Sequence, residues 1–263
     1  MPQLDHDIVI SGGGVAGLTA AALFASTGFS VLCVDPAPPV TERDADGSDL
    51  RTTAFLQPAQ ALLERAGLWA RLAPHAAELR VMRIVDAGGE APEPRLTRDF
   101  SAADISDRPF GWNLPNWLLR REMVARLGEL SNVTFRPGTG TTGLFTRESE
   151  ARVTLSDGER VTAPLVIAAD GRDSPMRRAA GIDVNTTRYG QKALAFAVTH
   201  AIAHDNVSTE INRAGGPFTL VPLPDHDGLP TSAVVWMEDG PAAVRLSRLP
   251  VPAFEAAMTE RSA

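Results

Sequence analysis

Residues 7–39 read DIVISGGGVAGLTAAALFASTGFSVLCVDPAPP, and the fold turns on how this stretch divides. Ile8, Val9 and Ile10 form a short apolar run, as a strand buried in a parallel sheet does. Gly12-Gly-Gly-Val-Ala-Gly17 fits the dinucleotide pattern G-x-G-x-x-G. The alanine- and leucine-rich run after it reads as a helix, which Gly28 stops. FSVLCVD then gives a second apolar strand ending in Asp35. Each part has a physical task. Gly12 permits the tight turn, Gly14 lets a pyrophosphate approach a backbone without a Cβ, and Gly17 lets the helix lie close to the strand. The helix N-terminus offers free N–H groups and a partial positive charge to phosphates. Asp35 lies 18 residues past Gly17, where its carboxylate can accept hydrogen bonds from both ribose hydroxyls. The same charge repels a 2′-phosphate, which disfavours NADP at this position.

The pattern recurs at Gly138-Thr-Gly-Thr-Thr-Gly143. VTFRP precedes it like a strand, but no helical period follows. RVTL-SDGE-RVTA reads instead as a β-hairpin with Asp157-Gly158 in its turn. Without a helix there is no dipole to hold a phosphate, so this second match reads as a flexible loop between strands.

The 263 residues carry 25 basic and 32 acidic side chains, a net charge of −7. That balance, with no lysine- or arginine-rich run, argues against nucleic acid as a partner. One cysteine, Cys33, excludes an internal disulfide, reads as a small core residue and fits a cytoplasmic chain. MPQLDHD lacks the basic, then apolar, order of a signal peptide. No apolar run approaches the roughly 18 residues of a membrane span, while contact with a membrane surface stays open.

QPAQALLERAGLWARL reads as a helix with Leu62, Ala66 and Trp69 on one face, ended by Gly67 or by Pro74. VMRIVDAGG reads as a strand, and the polar, proline-bearing stretch 88–108 as a loop or crossover. In NWLLRREMVARLGEL, Leu119, Met123, Leu127 and Leu130 recur at helical spacing, with Arg120, Arg121 and Arg126 near or beside that face. Leu165 to Ala169 read as a buried strand. Asp170-Gly171 follows, with Ser174 as an N-cap and Pro175 as the first helical residue. Two readings of Asp170-Gly171 stand open here: a tight turn with a cap, or a cofactor contact at the carboxyl ends of the strands. From Gly190 to Glu238 short apolar segments alternate with turn residues, an antiparallel β pattern. Within it PFTLVPLP offers an apolar wall suited to a greasy aromatic molecule, or a plain core strand. His200 and His204 sit in or beside a strand, where residues four apart lie more than about 10 Å from each other. No metal ligand set is expected. With no nucleophile or dyad evident, catalysis rests on a cofactor that the protein positions.

Four blocks together resemble the aromatic-ring hydroxylases among the class A FAD-dependent monooxygenases, and within them the ubiquinone-biosynthesis hydroxylases. They are DIVISGGGVAGLTAAALFASTGFSVLCVD, DLRTTAFLQPAQALLERAGLWARLAPHA, LPNWLLRREMVARL with NVTF after it, and LVIAADGRDSPMRRAAGI. The resemblance implies an α/β fold like that of p-hydroxybenzoate hydroxylase, a Rossmann-like FAD-binding domain with a β-sheet substrate domain. The FAD-binding domain is expected at residues 1–75 and 100–181, and an incomplete substrate domain at 76–99 and 182–263. The implied cofactors are FAD and, as transient reductant, NAD(P)H. The implied reaction runs through a flavin hydroperoxide, formed with O₂, that hydroxylates a small phenolic substrate, a ubiquinone precursor with or without its prenyl chain. Contact with a membrane surface or a ubiquinone-biosynthesis complex goes with that reading. A halogenase, a prenyl reductase or a non-catalytic flavoprotein fragment are the alternatives.

Residue by residue, the resemblance assigns Gly12, Gly14, Val15, Ala16 and Gly17 to the FAD pyrophosphate. Asp35, where the family often has Glu, goes to the adenosine ribose. Arg51 in DLRTTA would contact the cofactor near the flavin edge, and Asn116 or Arg120 the ribityl–phosphate region. Asp170 and Gly171 match the family's Asp-Gly motif, which serves FAD and the productive use of NAD(P)H. The family's third motif, Gly-Asp followed by Ala-Ala-His and prolines, has no counterpart here, and the expectation is a chain truncated before it.

Overall fold

The computed structural model describes residues 4–88 and 93–262. The apolar runs around the first glycine motif form a four-stranded parallel sheet. Its order is Leu165–Ala168, Ile8–Ser11, Val31–Asp35, Val133–Pro137. Such runs are apolar at every position because both faces of a parallel sheet are covered, and Val9, Ile10, Val31 and Cys33 have no exposed surface. Helix Val15–Ser26 packs on the strands that flank it and on helix Asn116–Gly128. An antiparallel meander, Thr141–Thr146, Ala151–Leu155 and Arg160–Ala163, lays Val153, Leu155, Val161 and Ala163 on Val9, Leu32 and Val34. Its second turn carries Gly158 at φ +91°, the left-handed conformation that a hairpin turn favours.

Cys33 illustrates how complete that burial is. Burial, with a smaller contribution from Asp35, pushes its thiol up to about 12. A thiolate is the reactive form, so native protein at pH 8 should give almost no reaction with a thiol reagent. One thiol per chain should appear on unfolding. Rapid labelling of the native protein would show that this sheet opens.

The chain packs as two units. One comprises Met1–Asp49, Pro58–Pro74 and Asn116–Asn185, the other Leu50–Gln57, His75–Pro115 and Thr186–Ala263. The second unit is built on a six-stranded sheet in the order Gln191–Thr199, Leu229–Asp239, Gly216–His226, Val207–Arg213, Val81–Asp86, Leu96–Ser101. Neighbours are antiparallel except for Val207–Arg213 beside Val81–Asp86. One face buries Phe218, Val234 and Trp236 under Leu246, Phe254, Ala257 and Met258 of helices Gly240–Leu246 and Val251–Ser262. A three-stranded sheet joins Thr52–Leu56, Gly111–Pro115 and Ala77–Leu79.

Several expectations from the sequence differ from this structure, each for a physical reason. Residues 50–57 and 100–115 were expected with the first domain. They belong with the second unit, because Thr52–Leu56 pairs with Gly111–Pro115, which pairs on its other side with Ala77–Leu79. The expected loop at 88–108 contains the strand Leu96–Ser101; residues 89–92 of that stretch lie outside the described residues. It reads as polar because it is an exposed edge, tied by the Arg83–Asp99 pair at 2.8 Å. Leu62 is 43% exposed while Leu63 is buried, since Gly67, at φ +70°, breaks the helix before the period reaches Trp69. Leu165–Ala168 is an edge strand, half exposed rather than buried.

The histidine pair also departs from expectation. Beyond Thr199 the chain turns back through Asp205 and Asn206, both at positive φ, and brings the rings of His200 and His204 to 6.2 Å. Their nitrogens meet the carbonyls of Ile202 and Leu223, the Ser232 hydroxyl and the Asn206 N–H. Among the described residues no cluster of three or more metal-ligating side chains occurs.

Candidate functional site

The glycine turn in the first unit is shaped by what a side chain would strike. Gly12 has φ +108°, and a Cβ there would stand 2.3 Å from the Ala169 carbonyl oxygen and 2.8 Å from the Asp170 nitrogen. At Gly17 a Cβ would stand 1.8 Å from the Gly12 oxygen. These two glycines let the turn nest against the neighbouring strand end and the helix nest against the turn. Gly14 is different, because a Cβ there meets nothing within 4 Å. It faces open space and caps helix Val15–Ser26 with no side-chain hydrogen bond. The first intrahelical bond is Leu18 N–H to Gly14 O at 2.9 Å. The amides of Val15, Ala16 and Gly17 therefore precede the helical ladder, at the positive end of a 12-residue helix.

The open space is a cavity of about 480 Å³. Gly12 and Gly14, Asp35, Gly140 to Thr142, and Asp170 with Gly171 contribute to its wall. The Asp35 carboxylate accepts from Gly13 N–H at 2.6 Å and from Ala37 N–H at 2.8 Å. It thereby pins the turn from the tip of its strand, and each oxygen keeps a lone pair for another donor. Asp170 Oδ2 accepts from Met176 N–H at 3.0 Å and from the Ser11 hydroxyl at 3.4 Å. Ser11 and Thr141 share a buried 2.6 Å hydrogen bond. Ser11 has a single hydroxyl proton, and with that proton on Asp170, Thr141 is the donor. Asp170 Oδ1 is buried without a hydrogen-bond partner among the described residues, and a buried carboxylate oxygen left so is costly.

The cap reading of Asp170-Gly171 has direct hydrogen bonds behind it. One oxygen of Asp170 holds the start of helix Pro175–Ala179, which Ser174 also caps through Arg177 N–H at 2.9 Å. The other oxygen has no hydrogen-bond partner among the described residues. Asn116 and Arg120, at the start of helix Asn116–Gly128, both donate to Asp49 Oδ2, at 3.1 and 3.3 Å. Arg51 is exposed in the second unit, one residue before strand Thr52–Leu56.

The second glycine motif was misjudged in part. Thr141 to Gly143 lie in a strand, and Gly140 and Thr141 border the same cavity as Gly12 and Gly14. A helix is absent there, as expected, so the loop offers side chains and carbonyls rather than a dipole. Ser11 and Thr141 were not anticipated as wall residues. The signal was present at Ser11, the one polar residue in an otherwise apolar buried strand.

An unsatisfied acceptor, an uncapped helix start and a Cβ-free opening fit a dinucleotide whose pyrophosphate lies over Gly14. Comparison with known proteins agrees with that chemistry. Residues 5–239 match the family described as FAD binding domain. Over 255 residues the chain is 34% identical to ubiquinone hydroxylase UbiL of Rhodospirillum rubrum, covering 97% of this chain and 57% of that protein. Over 245 residues it is 27% identical to the 3-demethoxyubiquinol 3-hydroxylase of Escherichia coli, covering 93% and 60% respectively. The chain thus spans little more than half the length of these curated relatives. Among solved structures, PqsL of Pseudomonas aeruginosa in complex with 2-aminobenzoylacetate has a similar fold, with a TM-score of 0.74 at 23% identity over 92% of this chain and 63% of that one.

Proposed function

The chain belongs to the FAD binding domain family, and on that premise we propose that it is part of an FAD- and NAD(P)H-dependent monooxygenase that hydroxylates a phenolic intermediate of ubiquinone biosynthesis. The observation that carries the cofactor half is the cavity bounded by Gly14, Asp35 and the orphaned Asp170 oxygen. The substrate half rests on the named activities of the relatives from Rhodospirillum rubrum and Escherichia coli. Bound FAD, reduced by NAD(P)H, supplies activated oxygen for transfer to an electron-rich ring.

The chain's own residues bind and orient. Val15, Ala16 and Gly17 give their amides to the pyrophosphate across Gly14, without the penalty of moving a side chain. Asp35 accepts from the adenosine ribose while it holds the Gly13 amide. Asp170 accepts through Oδ1, with Oδ2 fixed by Met176 and Ser11, so its geometry is set before the cofactor arrives. Asn116 or Arg120, both held by Asp49, would reach the ribityl–phosphate region. Among the described residues no helix is long and apolar enough to cross a membrane, so contact with a lipid-borne substrate would be made at a surface.

Two measurements test this. Replacing Asp35 by alanine removes charge-assisted hydrogen bonds worth about 1.5–3 kcal/mol, which is about 10- to 100-fold in FAD affinity. FAD bound equally well by a folded Asp35→Ala protein would remove the ribose assignment. For the reaction, mass spectrometry of a phenolic ubiquinone precursor incubated with the FAD-loaded full-length enzyme, NADPH or NADH, and ¹⁸O₂ should show one ¹⁸O atom in the product. NAD(P)H consumed with H₂O₂ as the sole product, for every precursor tried, would count against the substrate class.

A further inference from the structure

The second unit holds a cavity of about 540 Å³ in which positive charge is left over. Arg213, Arg245 and Arg261 line it. Arg261, in the last turn of helix Val251–Ser262, is only 7% exposed. Its Nη2 donates to the carbonyls of Gly216 and Ile211, while its Nε and Nη1 are buried without a hydrogen-bond partner among the described residues. Its guanidinium lies 5.7 Å over the Phe218 ring. Arg213 spends one N–H on the backbone oxygen of Glu260 at 3.0 Å.

Glu238 and Glu260 also line the cavity, yet among the described residues none of the three arginines has an ion pair within 4 Å. Glu238 instead accepts from the Trp236 indole N–H at 3.0 Å. Burial, and after it the nearby charge of Arg213, lower the proton affinity of Arg261, and Glu238 opposes them. A guanidinium stays charged under such pressure, so the cost of burying it stands until an anion arrives. Three guanidiniums against two carboxylates leave one net positive charge, which matches a monoanion better than a phosphate dianion. Leu246, Leu249 and Ala257 give the rest of the wall an apolar lining.

We propose that this cavity binds a small organic acid, its carboxylate among the three arginines and its apolar body against Leu246, Leu249 and Ala257. The site goes beyond the cofactor and reaction proposed above, and its test reads octanoate binding rather than turnover. Octanoate titrated calorimetrically into the FAD-loaded chain should bind at least about tenfold more tightly than octanol, which has the same body and no charge. Arg245 is exposed, so Arg245→Ala should fold and keep its FAD affinity. It should weaken octanoate at least about tenfold, with Arg245→Lys in between. The proposal is overturned if octanoate and octanol bind alike, if Arg245→Ala leaves octanoate affinity unchanged, or if inorganic phosphate binds more tightly than octanoate.

Discussion

Gly17→Ala should yield little folded protein, whereas Gly14→Ala should fold normally and lose its cofactor. The two glycines belong to one motif but meet different surroundings. A Cβ on Gly17 would stand 1.8 Å from the Gly12 carbonyl oxygen, a contact that backbone atoms cannot yield to without separating helix from turn. Overpacking costs about 1–3 kcal/mol where side chains can shift, and here the struck atom is backbone. A loss of about 3 kcal/mol or more is expected, a large part of the stability of an ordinary domain. A urea midpoint for Gly17→Ala equal to that of the parent protein would refute the packing. A Cβ on Gly14 meets nothing within 4 Å, and Gly14 has φ −76°, which alanine adopts freely. Its only new neighbour is the cofactor, so FAD affinity should drop at least about tenfold while the unfolding free energy from urea titration changes by less than about 1 kcal/mol. If Gly14→Ala retained full FAD affinity, the pyrophosphate would lie elsewhere.

Asp170→Asn is the second large effect, again because two functions separate on one side chain. An asparagine oxygen can still accept from Met176 N–H and Ser11, so the helix start at Pro175 keeps its support. Its amide then stands where Asp170 Oδ1, buried and unpartnered among the described residues, offers an acceptor. Stability should change by less than about 1 kcal/mol, and FAD affinity should fall about 10- to 100-fold. Asp170→Ala should lower both, because the Met176 amide and the Ser11 hydroxyl lose their acceptor. Loss of stability without loss of FAD in the asparagine variant would reduce Asp170 to a cap.

The first βαβ unit was legible because its signals are local. Strand, turn, helix and acid all fall within 29 residues, from Asp7 to Asp35, and each glycine has a steric reason that propensity rules carry. Leu119, Met123 and Leu127 were legible for the same reason, as one helical face. What was missed is non-local. Ser11, Thr141 and Asp170 lie 130 or more residues apart in pairs with Ser11, and no periodicity records that they meet. Leu96–Ser101 was hidden because an edge strand with both faces wet has no apolar alternation to display. The His200–His204 approach depends on two residues in the left-handed region, Asp205 and Asn206, which strand spacing cannot foresee. Asn116 and Arg120, which the resemblance offers as alternatives, share the partner Asp49, which lies far upstream, beyond any helical pattern.

The central claim is that the cavity around Gly14 holds an FAD pyrophosphate. Titration of the chain with FAD, followed by flavin fluorescence and repeated with NADP⁺ as competitor, tests it most directly. The account predicts one FAD per chain, a tenfold or greater weakening in folded Gly14→Ala, and no displacement by NADP⁺, whose 2′-phosphate would meet the charge of Asp35. FAD binding that is indifferent to Gly14→Ala, or that NADP⁺ displaces competitively, would contradict it.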